Sequence, residues 1–554
     1  MDKIVFEIHA KTTGYVGFGF SPNGDMRYSD MVIGWVRDNG MVELKDRHTL
    51  GERVTPIIDH KQDYHLDVGL EEDGWTILRF WRLLDTCDHL YDMKIDDGTM
   101  RLIWSMHHED PTSETDLPYH GGNRGSRSVQ LLSHNTKTVN LPADAFHLDI
   151  TLTNVSVPGD STTYWCQAFK LPNYKKKHHV IGLEANIQPG NEDVVHHVIL
   201  FACFHEINDS ADIDGYANAC YKPNLPENLS LCQSLVFGWA NGAKPFYYPS
   251  NAAMPIGPGS GFKYVWMEVH WNNPWHKTGR FDTSGMRLTV TPTLRQYDVT
   301  VLEVGTMSFN HLVVIPPHAQ AFVSTGVCAG GCLKEAMRKS GVTGGIKVIG
   351  MLMHAHIATT SIVVRLFRNG IELPEISRDD HYDFNFQEMR YLKKGVAILP
   401  GDDIAVECTR YTTSRQNITW GSMYIGSKDE MCLAYIAYYP KLKMSQCRSA
   451  PRTKDLLAIA GVTEVETEVF QLQGKINVLE PEIWKGRHFT DILSTEVDWT
   501  NATVRDEFQK ITKNADRIST CRQFPLTYKK FDDKFLPPFI HSDAIQQNTP
   551  DNCP

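Results

Sequence analysis

A chain of 554 residues is too long for one hydrophobic core, so several domains are expected. The formal net charge of -11 argues against nucleic acid, whose binding rests on clustered Lys and Arg, and Lys175-Lys176-Lys177 is too short a run to reverse this. No apolar run reaches the roughly eighteen residues of a membrane-spanning helix.

In chain order, residues 1–132 read as all-β. Short runs at 4–9, 15–20, 31–36, 64–68, 76–80 and 101–104 are separated by turns such as Pro22-Asn23-Gly24, Asp38-Asn39-Gly40 and Asp97-Gly98. That pattern predicts a β-sandwich. Arg124-Gly125-Ser126 and Ser133-His134-Asn135-Thr136 read as its exit linker. Residues 145–310 repeat the short-strand pattern, with runs at 147–152, 164–171, 194–204, 263–271 and 286–291. Residues 311–447 form a third β region, with strands at 348–357, 362–368, 404–408 and 431–439 and a helical patch at 333–339. The tail, 448–554, is partly helical. Val504, Phe508, Ile511, Ala515 and Ile518 recur at helical spacing and predict an amphipathic helix over 503–519. Its apolar face has to pack on the body of the chain or on a second copy, so a homodimer is one expectation.

The twelve cysteines include no CxxC pair, which argues against a zinc ribbon or a thioredoxin-like motif. Five N-glycosylation sequons begin at Asn154, Asn208, Asn228, Asn417 and Asn501. Together they point to an oxidising secretory compartment, the endoplasmic reticulum lumen, a vesicle or the exterior. The first residues enter an alternating strand, with Ile4, Phe6 and Ile8 on one face and no signal-peptide core before it. Truncation at the start is the expectation.

The chemistry concentrates in histidines. His354 and His356 stand two apart in the apolar run Ile349–Ile357, so a strand would put both imidazoles on one face. His107-His108 sits at a loop edge and His178-His179 at a strand start. His196-His197 lies inside the apolar run Val194–Phe201, where two imidazoles are costly to bury without partners. A metal takes neutral imidazole directly. His270 lies in a similar run, Tyr264–Trp271, and could complete a trigonal site or be a satisfied core histidine. Met431, beside Cys432, offers a thioether that suits Cu(I), or is core filler.

Four segments occur in order: Asp193-Val-Val-His196-His197, Glu268-Val-His270-Trp-Asn-Asn-Pro, His354-Ala-His356 and Asp429-Glu-Met431-Cys432. Thr163-Tyr164-Trp165-Cys166 precedes them. In these the chain resembles the copper, ascorbate-dependent monooxygenase family, which contains dopamine beta-hydroxylase and the peptide-amidating hydroxylase. The resemblance is close over residues 145–450. Tyr382–Glu388 looks most like the DBH-like monooxygenase subgroup, and the N-terminal region resembles the DOMON domain of the dopamine branch.

The resemblance implies a mainly β chain: a DOMON β-sandwich at 1–132, incomplete at its start, two jelly-roll-like copper monooxygenase domains at 145–310 and 311–447, and a C-terminal extension at 448–554. It implies two copper ions, with His196, His197 and His270 on the first and His354, His356 and Met431 on the second. It implies ascorbate as electron donor, O2 as oxidant and a small-molecule substrate that gains one oxygen atom while the other leaves as water. Tyr164 and His354 match positions assigned to the active site. The implied disulfides are Cys87–Cys553, Cys166–Cys220, Cys203–Cys232, Cys328–Cys447, Cys332–Cys521 and Cys408–Cys432. In the DOMON-like part, Asp30 and Asp63, with the carbonyls of Met31 and Arg47, match a calcium or sodium site.

Amidating relatives carry an arginine two residues before the first histidine of the HxH pair, where this chain has Leu352. That makes peptidylglycine hydroxylation a minor alternative and favours an aromatic or hydrophobic substrate. The other class is a non-catalytic copper- or ligand-binding protein on the same scaffold. Some relatives carry a hydrophobic anchor, which leaves membrane attachment open.

Overall fold

The computed structural model describes residues 2–132, 140–204, 207, 213–220, 226–230, 232, 234–307, 312–421, 429–466, 476–523 and 527–530. The chain is mainly β and divides into two compact units. Among the described residues no helix is long and apolar enough to cross a membrane.

The first unit gathers the N-terminal described residues, through Leu132, with Asp379–Asp383. One sheet orders the strands Lys3–Ala10, Trp75–Leu83 and His65–Glu72. The other runs Ile57–Ile58, Val42–His48, Asp30–Val36, Val16–Phe20, Met100–Met106, Arg124–Val129. Inward-facing residues of the two sheets meet in an aromatic cluster: the Phe6 ring lies 5.0 Å from Phe18 and 5.8 Å from Phe80. Arg124-Gly125-Ser126 is not a linker but the start of an edge strand paired to Met100–Met106. Gly125 reads as a flexible breaker in sequence. In the fold it is small because the Trp104 ring lies across it, where a Cβ would collide. Residues 133–136, the rest of the expected linker, lie outside the described residues.

The second unit holds two further pairs of sheets. In the first pair, Phe146–Thr151, Gly285–Thr291, His178–Asn186, Ala252–Ile256 and Tyr297–Asp298 form one sheet. The second is Ala217–Ala219, Thr162–Lys170, Tyr264–Asn272, Val195–Ala202 and Ser234–Ala240. In the other pair a seven-stranded sheet has Ile346–Ala355, Cys432–Tyr439 and Thr300–Thr306 at its centre. It is accompanied by the four strands Phe322–Cys328, Asp403–Arg410, Thr359–Arg368 and Ile371–Asp379. Central strands are buried on both faces, as in Thr300–Thr306, where every residue is buried and the one acid, Glu303, pairs with Arg448.

The tail does not stand apart. Arg517–Gln523 adds a strand beside Met444–Pro451, with Cys521 opposite Cys447. The predicted helix over 503–519 is shorter: it spans Ala502–Asn514, capped by the Asn501 side chain accepting from Thr503 N at 2.9 Å. Ala515 turns extended, so Ile518 belongs to the next strand rather than to the helix stripe. The apolar face packs on the body, where the Phe508 ring lies 6.0 Å from Phe322. The expected helical patch at 333–339 is the helix Gly330–Lys339.

Among the described residues five disulfides are present: Cys166–Cys220, Cys203–Cys232, Cys328–Cys447, Cys332–Cys521 and Cys408–Cys432. The Cys87–Cys553 pair lies outside the described residues, because Cys553 does. Asn154, Asn228, Asn417 and Asn501 are exposed, as a glycan acceptor must be; Asn208 lies outside the described residues.

Lys441 gives this unit a pH signature. Its ammonium donates to Ser260 O at 2.5 Å and stands 5.0 Å from the Phe204 ring centre. Burial, partly opposed by Asp298, pulls its pKa down to about 8. Between that value and the roughly 10.4 of a free lysine, the unfolded chain holds more protons, so stability rises with pH across the window. Thermal melting from pH 7.5 to 10 should show this rise, and Lys441→Met should flatten it.

Candidate metal centres

In a regular strand, adjacent residues point to opposite faces, so His196 and His197 could not share a ligand. The strand Val195–Ala202 avoids this with a bulge. Val195 pairs with Trp271 and His197 with His270, which leaves His196 as the extra residue. All three imidazoles therefore gather. His196 Nδ1 lies 3.3 Å from His197 Nδ1 and 3.2 Å from His270 Nδ1. The ligand atoms of the three lie within 4.8 Å of one another.

The outward nitrogens face oxygens. His270 Nε2 is 2.8 Å from Thr162 Oγ1, His196 Nε2 is 3.2 Å from Asn385 Oδ1, and His197 Nε2 is 3.5 Å from the buried Glu268 carboxylate. A proton on each Nε2 leaves three Nδ1 lone pairs facing one another, an arrangement that repels unless a cation sits among them. Imidazole nitrogens about 2.0–2.1 Å from a tetrahedral centre stand about 3.3–3.4 Å apart, which matches the two measured separations. The donor set fits a metal.

Tyr164 sits opposite His270 on the neighbouring strand, its ring stacked at 4.1 Å and 8°. Burial, then Glu268, raises its hydroxyl well above the usual phenol range, so it stays protonated. Burial, then His197, holds His270 far below the usual imidazole pKa, so it stays neutral as a ligand must be.

The second group uses the other ring atom. His354 Nδ1 is 2.7 Å from Gln387 Oε1, and His356 Nδ1 is 2.9 Å from Asp429 O. With Nδ1–H donating to these oxygens, the lone pairs reside on Nε2. The rings stand 5.5 Å apart at 87°. Burial, then His356, pulls His354 down to about 4; burial lowers His356 as well. The strand pairing ends at Ala355–Cys432, so the next step along each chain brings His356 and Met431 to one level. Met431 is buried and its carbonyl accepts from Arg410 Nη2 at 2.8 Å. Two N and one S are a donor set that fits copper.

One residue unassigned in the sequence, Glu430, and one expected disulfide, Cys408–Cys432, hold this corner. The fully buried Glu430 accepts from Ala358 N at 2.7 Å and from His356 N and Thr359 Oγ1 at 3.2 Å, fixing the turn after His356. Cys432 is tied to Cys408 across a separation of 24 residues. A loop of that size is worth about 3 kcal/mol in the chain-entropy model. Cys408→Ser with Cys432→Ser should lower stability by about that amount in urea unfolding.

Sequence reasoning singled out Tyr382–Glu388 only as a mark of resemblance and gave no role to its residues, which touch both groups. The Phe384 ring lies 6.2 Å from His196 and 6.1 Å from His356, Asn385 holds His196, and Gln387 holds His354. Beyond that resemblance, the sequence signal is polar Asn385 and Gln387 alternating with Phe384 and Phe386.

The other histidine pairs do different work. His179 is buried and satisfied, with Asp298 at 2.9 Å on Nε2 and Arg295 N donating at 2.9 Å to Nδ1. His178 opens a strand, and His107-His108 follows one.

In the first unit, acids gather around Asp30, and Asp63 stands beside them with its N–H donating to Asp46 Oδ2 at 2.8 Å. Asp30, Asp46 and Asp92 bring carboxylate oxygens within 4.8 Å, while Asp63 pairs with Lys61 at 3.0 Å. Asp30 also accepts from Tyr64 and from Met93 N, both at 2.9 Å, and pairs with Arg82. Met31 and Arg47 face each other across two strands. Burial, then Asp92, pushes Asp46 up to about 9, and burial, then Asp30, pushes Asp92 up to about 7.

With this geometry established, comparison with known proteins adds the following. Residues 148–278 match the copper type II ascorbate-dependent monooxygenase N-terminal domain, residues 297–459 its C-terminal domain, and residues 1–107 the DOMON domain. The chain is 40% identical to DBH-like monooxygenase protein 1 of Gallus gallus, over 89% of this chain and 78% of that one. It is 40% identical to the Homo sapiens protein of that name, over 90% and 79%. It is 34% identical to dopamine beta-hydroxylase of Canis lupus familiaris, over 78% and 67%. Among solved structures, the cytochrome b domain of pyranose dehydrogenase from Coprinopsis cinerea aligns with 23% of this chain and 68% of its own. Its TM-score is 0.20 at 14% identity, too slight a likeness to bear on the fold.

Proposed function

This chain belongs to the copper type II, ascorbate-dependent monooxygenases, and we propose that it hydroxylates an activated C–H bond of a small aromatic or otherwise hydrophobic substrate. The family uses two copper ions and ascorbate, which when bound supply the electrons and activate O2, one atom entering the substrate and the other leaving as water. His196, His197 and His270 would hold the first copper through Nδ1. His354, His356 and Met431 would hold the second, the histidines through Nε2. The observation that carries this reading is the convergence of the three Nδ1 atoms of His196, His197 and His270, with Nε2 of His196 and His270 and Nδ1 of His354 and His356 each facing an oxygen that sets the tautomer.

The chain's own residues then keep the site neutral and oriented. Thr162, Asn385, Gln387 and the Asp429 carbonyl set the imidazole tautomers. Tyr164 presses flat on His270 and limits its rotation. Leu352, buried beside Gly238, supports an apolar substrate over a carboxylate-bearing peptide, because no guanidinium stands at that position. The disulfides and exposed sequons support a secretory-pathway location. Asp30, Asp46 and Asp92 support a hard cation in the DOMON unit, with Asp63 at its margin.

The test is copper content after purification from an oxidising compartment, followed by ascorbate-dependent oxygen uptake with arylethylamines and related aromatics. Two coppers per chain and substrate-dependent uptake are expected. Copper without uptake on any of these substrates would point instead to a binding protein on this scaffold.

A further inference from the structure

Arg517 follows the C-terminal helix Ala502–Asn514 and opens the strand that joins the seven-stranded sheet. It is 2% exposed. Its Nη1 donates to Thr325 O at 2.5 Å and its Nη2 to Thr512 O at 3.4 Å, but Nε–H has no acceptor. Both bonds go to neutral carbonyls, and among the described residues no carboxylate pairs with it. Glu407, the acid whose charge reaches it, also lines the cavity and pairs through Oε2 with Arg365 at 2.7 Å, and Arg365 also binds Glu372 at 2.7 Å. A guanidinium taken out of water without a counter-charge is costly.

Arg517 lines a cavity of about 350 Å³, within the range of small-ligand sites. Val313, Val314, Phe322 and Leu456 make an apolar wall. The helix covers one side, clamped to the strand Phe322–Cys328 by Gln509, whose Oε1 accepts from Val323 N at 2.6 Å and whose Nε2 donates to Val323 O at 2.9 Å. None of the six residues assigned to copper lines this space.

We propose that this cavity binds a small organic acid, its carboxylate on Arg517 and its apolar body on Val313, Val314, Phe322 and Leu456. A guanidinium offers the planar fork that a carboxylate matches. The apolar wall disfavours phosphate and other fully hydrated anions. The occupant would bridge the C-terminal helix to the sheet that carries His354, adding stability without touching either metal centre.

The experiment is thermal melting of the full, copper-loaded chain with phenylacetate and hexanoate, against phenylacetamide, hexanamide and inorganic phosphate. The acids should raise the melting temperature saturably, by on the order of 5 °C at saturation, and the amides and phosphate should not. Arg517→Met should abolish the shift. Ala321→Trp, at an exposed residue of the lining, should block it while ascorbate-dependent oxygen uptake stays unchanged. If Arg517→Met does not fold, Ala321→Trp decides. Equal shifts with acids and amides, no shift with either acid, or a shift that survives Ala321→Trp would overturn the assignment.

Discussion

Met431→Ala lowers oxygen uptake by more than about 100-fold, beyond the 10–100-fold expected for losing a group that only supports a ligand. The reasoning starts from softness. Imidazole serves both copper oxidation states, whereas a thioether favours Cu(I), the state that reacts with O2. The first group of three histidines has no sulfur, so its copper should remain. The second group keeps His354 and His356, still held by Gln387 and the Asp429 carbonyl. Affinity for Cu(I) should therefore fall more than affinity for Cu(II) at that site. X-ray absorption of the ascorbate-reduced protein checks this without relying on turnover: copper–sulfur scattering is expected in the parent chain and lost in the variant. Folding should survive, because the Cys408–Cys432 bond and the Arg410 contact to the Met431 carbonyl do not use the Met431 side chain. Unchanged sulfur scattering, or full uptake, would remove Met431 from the site.

The ligand types were legible in sequence because buried imidazole is costly without a partner, and runs such as Val194–Phe201 announce burial. The geometry was not. His196-His197 obeys no strand periodicity, and only a bulge against Trp271 and His270 puts both rings on one side. A bulge is set by the partner strand, some seventy residues away in the chain. The same holds for Glu430, an acid in a turn until its two oxygens are seen to collect Ala358 N, His356 N and Thr359 Oγ1. Helical spacing carried the C-terminal helix too far, because Ile518 continues the apolar stripe while facing a sheet core instead. Asp30 and Asp63 were legible as acids of this region, but Asp46, buried in the adjacent strand, and Asp92, which gather with Asp30, were not. Local pattern finds which residues must be buried; it does not find which distant backbone meets them.

Asn385 and Gln387 bear the other large effect, because one short segment serves both histidine groups. Asn385 Oδ1 faces His196 Nε2 across 3.2 Å and Gln387 Oε1 faces His354 Nδ1 across 2.7 Å, with Phe384 against His196 and His356. Gln387→Leu keeps the volume but removes the acceptor. The buried His354 N–H is then unsatisfied, and the ring is free to turn its proton toward the metal side. A loss of about 10–100-fold in copper affinity at the second site is expected, with a smaller loss at the first. Asn385→Leu should reverse the selectivity, weakening the first site by a similar factor. The double variant is the informative one. If the segment merely supplies two independent acceptors, the two losses add within about 0.5 kcal/mol. If it holds the two groups at a fixed separation, the first substitution already loosens the segment. The second then costs less than it does alone, giving a coupling of at least about 0.5 kcal/mol in copper-binding free energies. Copper titration of the four proteins with a competing chelator measures it. The Phe384 ring, packed between His196 and His356, favours the coupled outcome, since neither polar neighbour can shift without moving it.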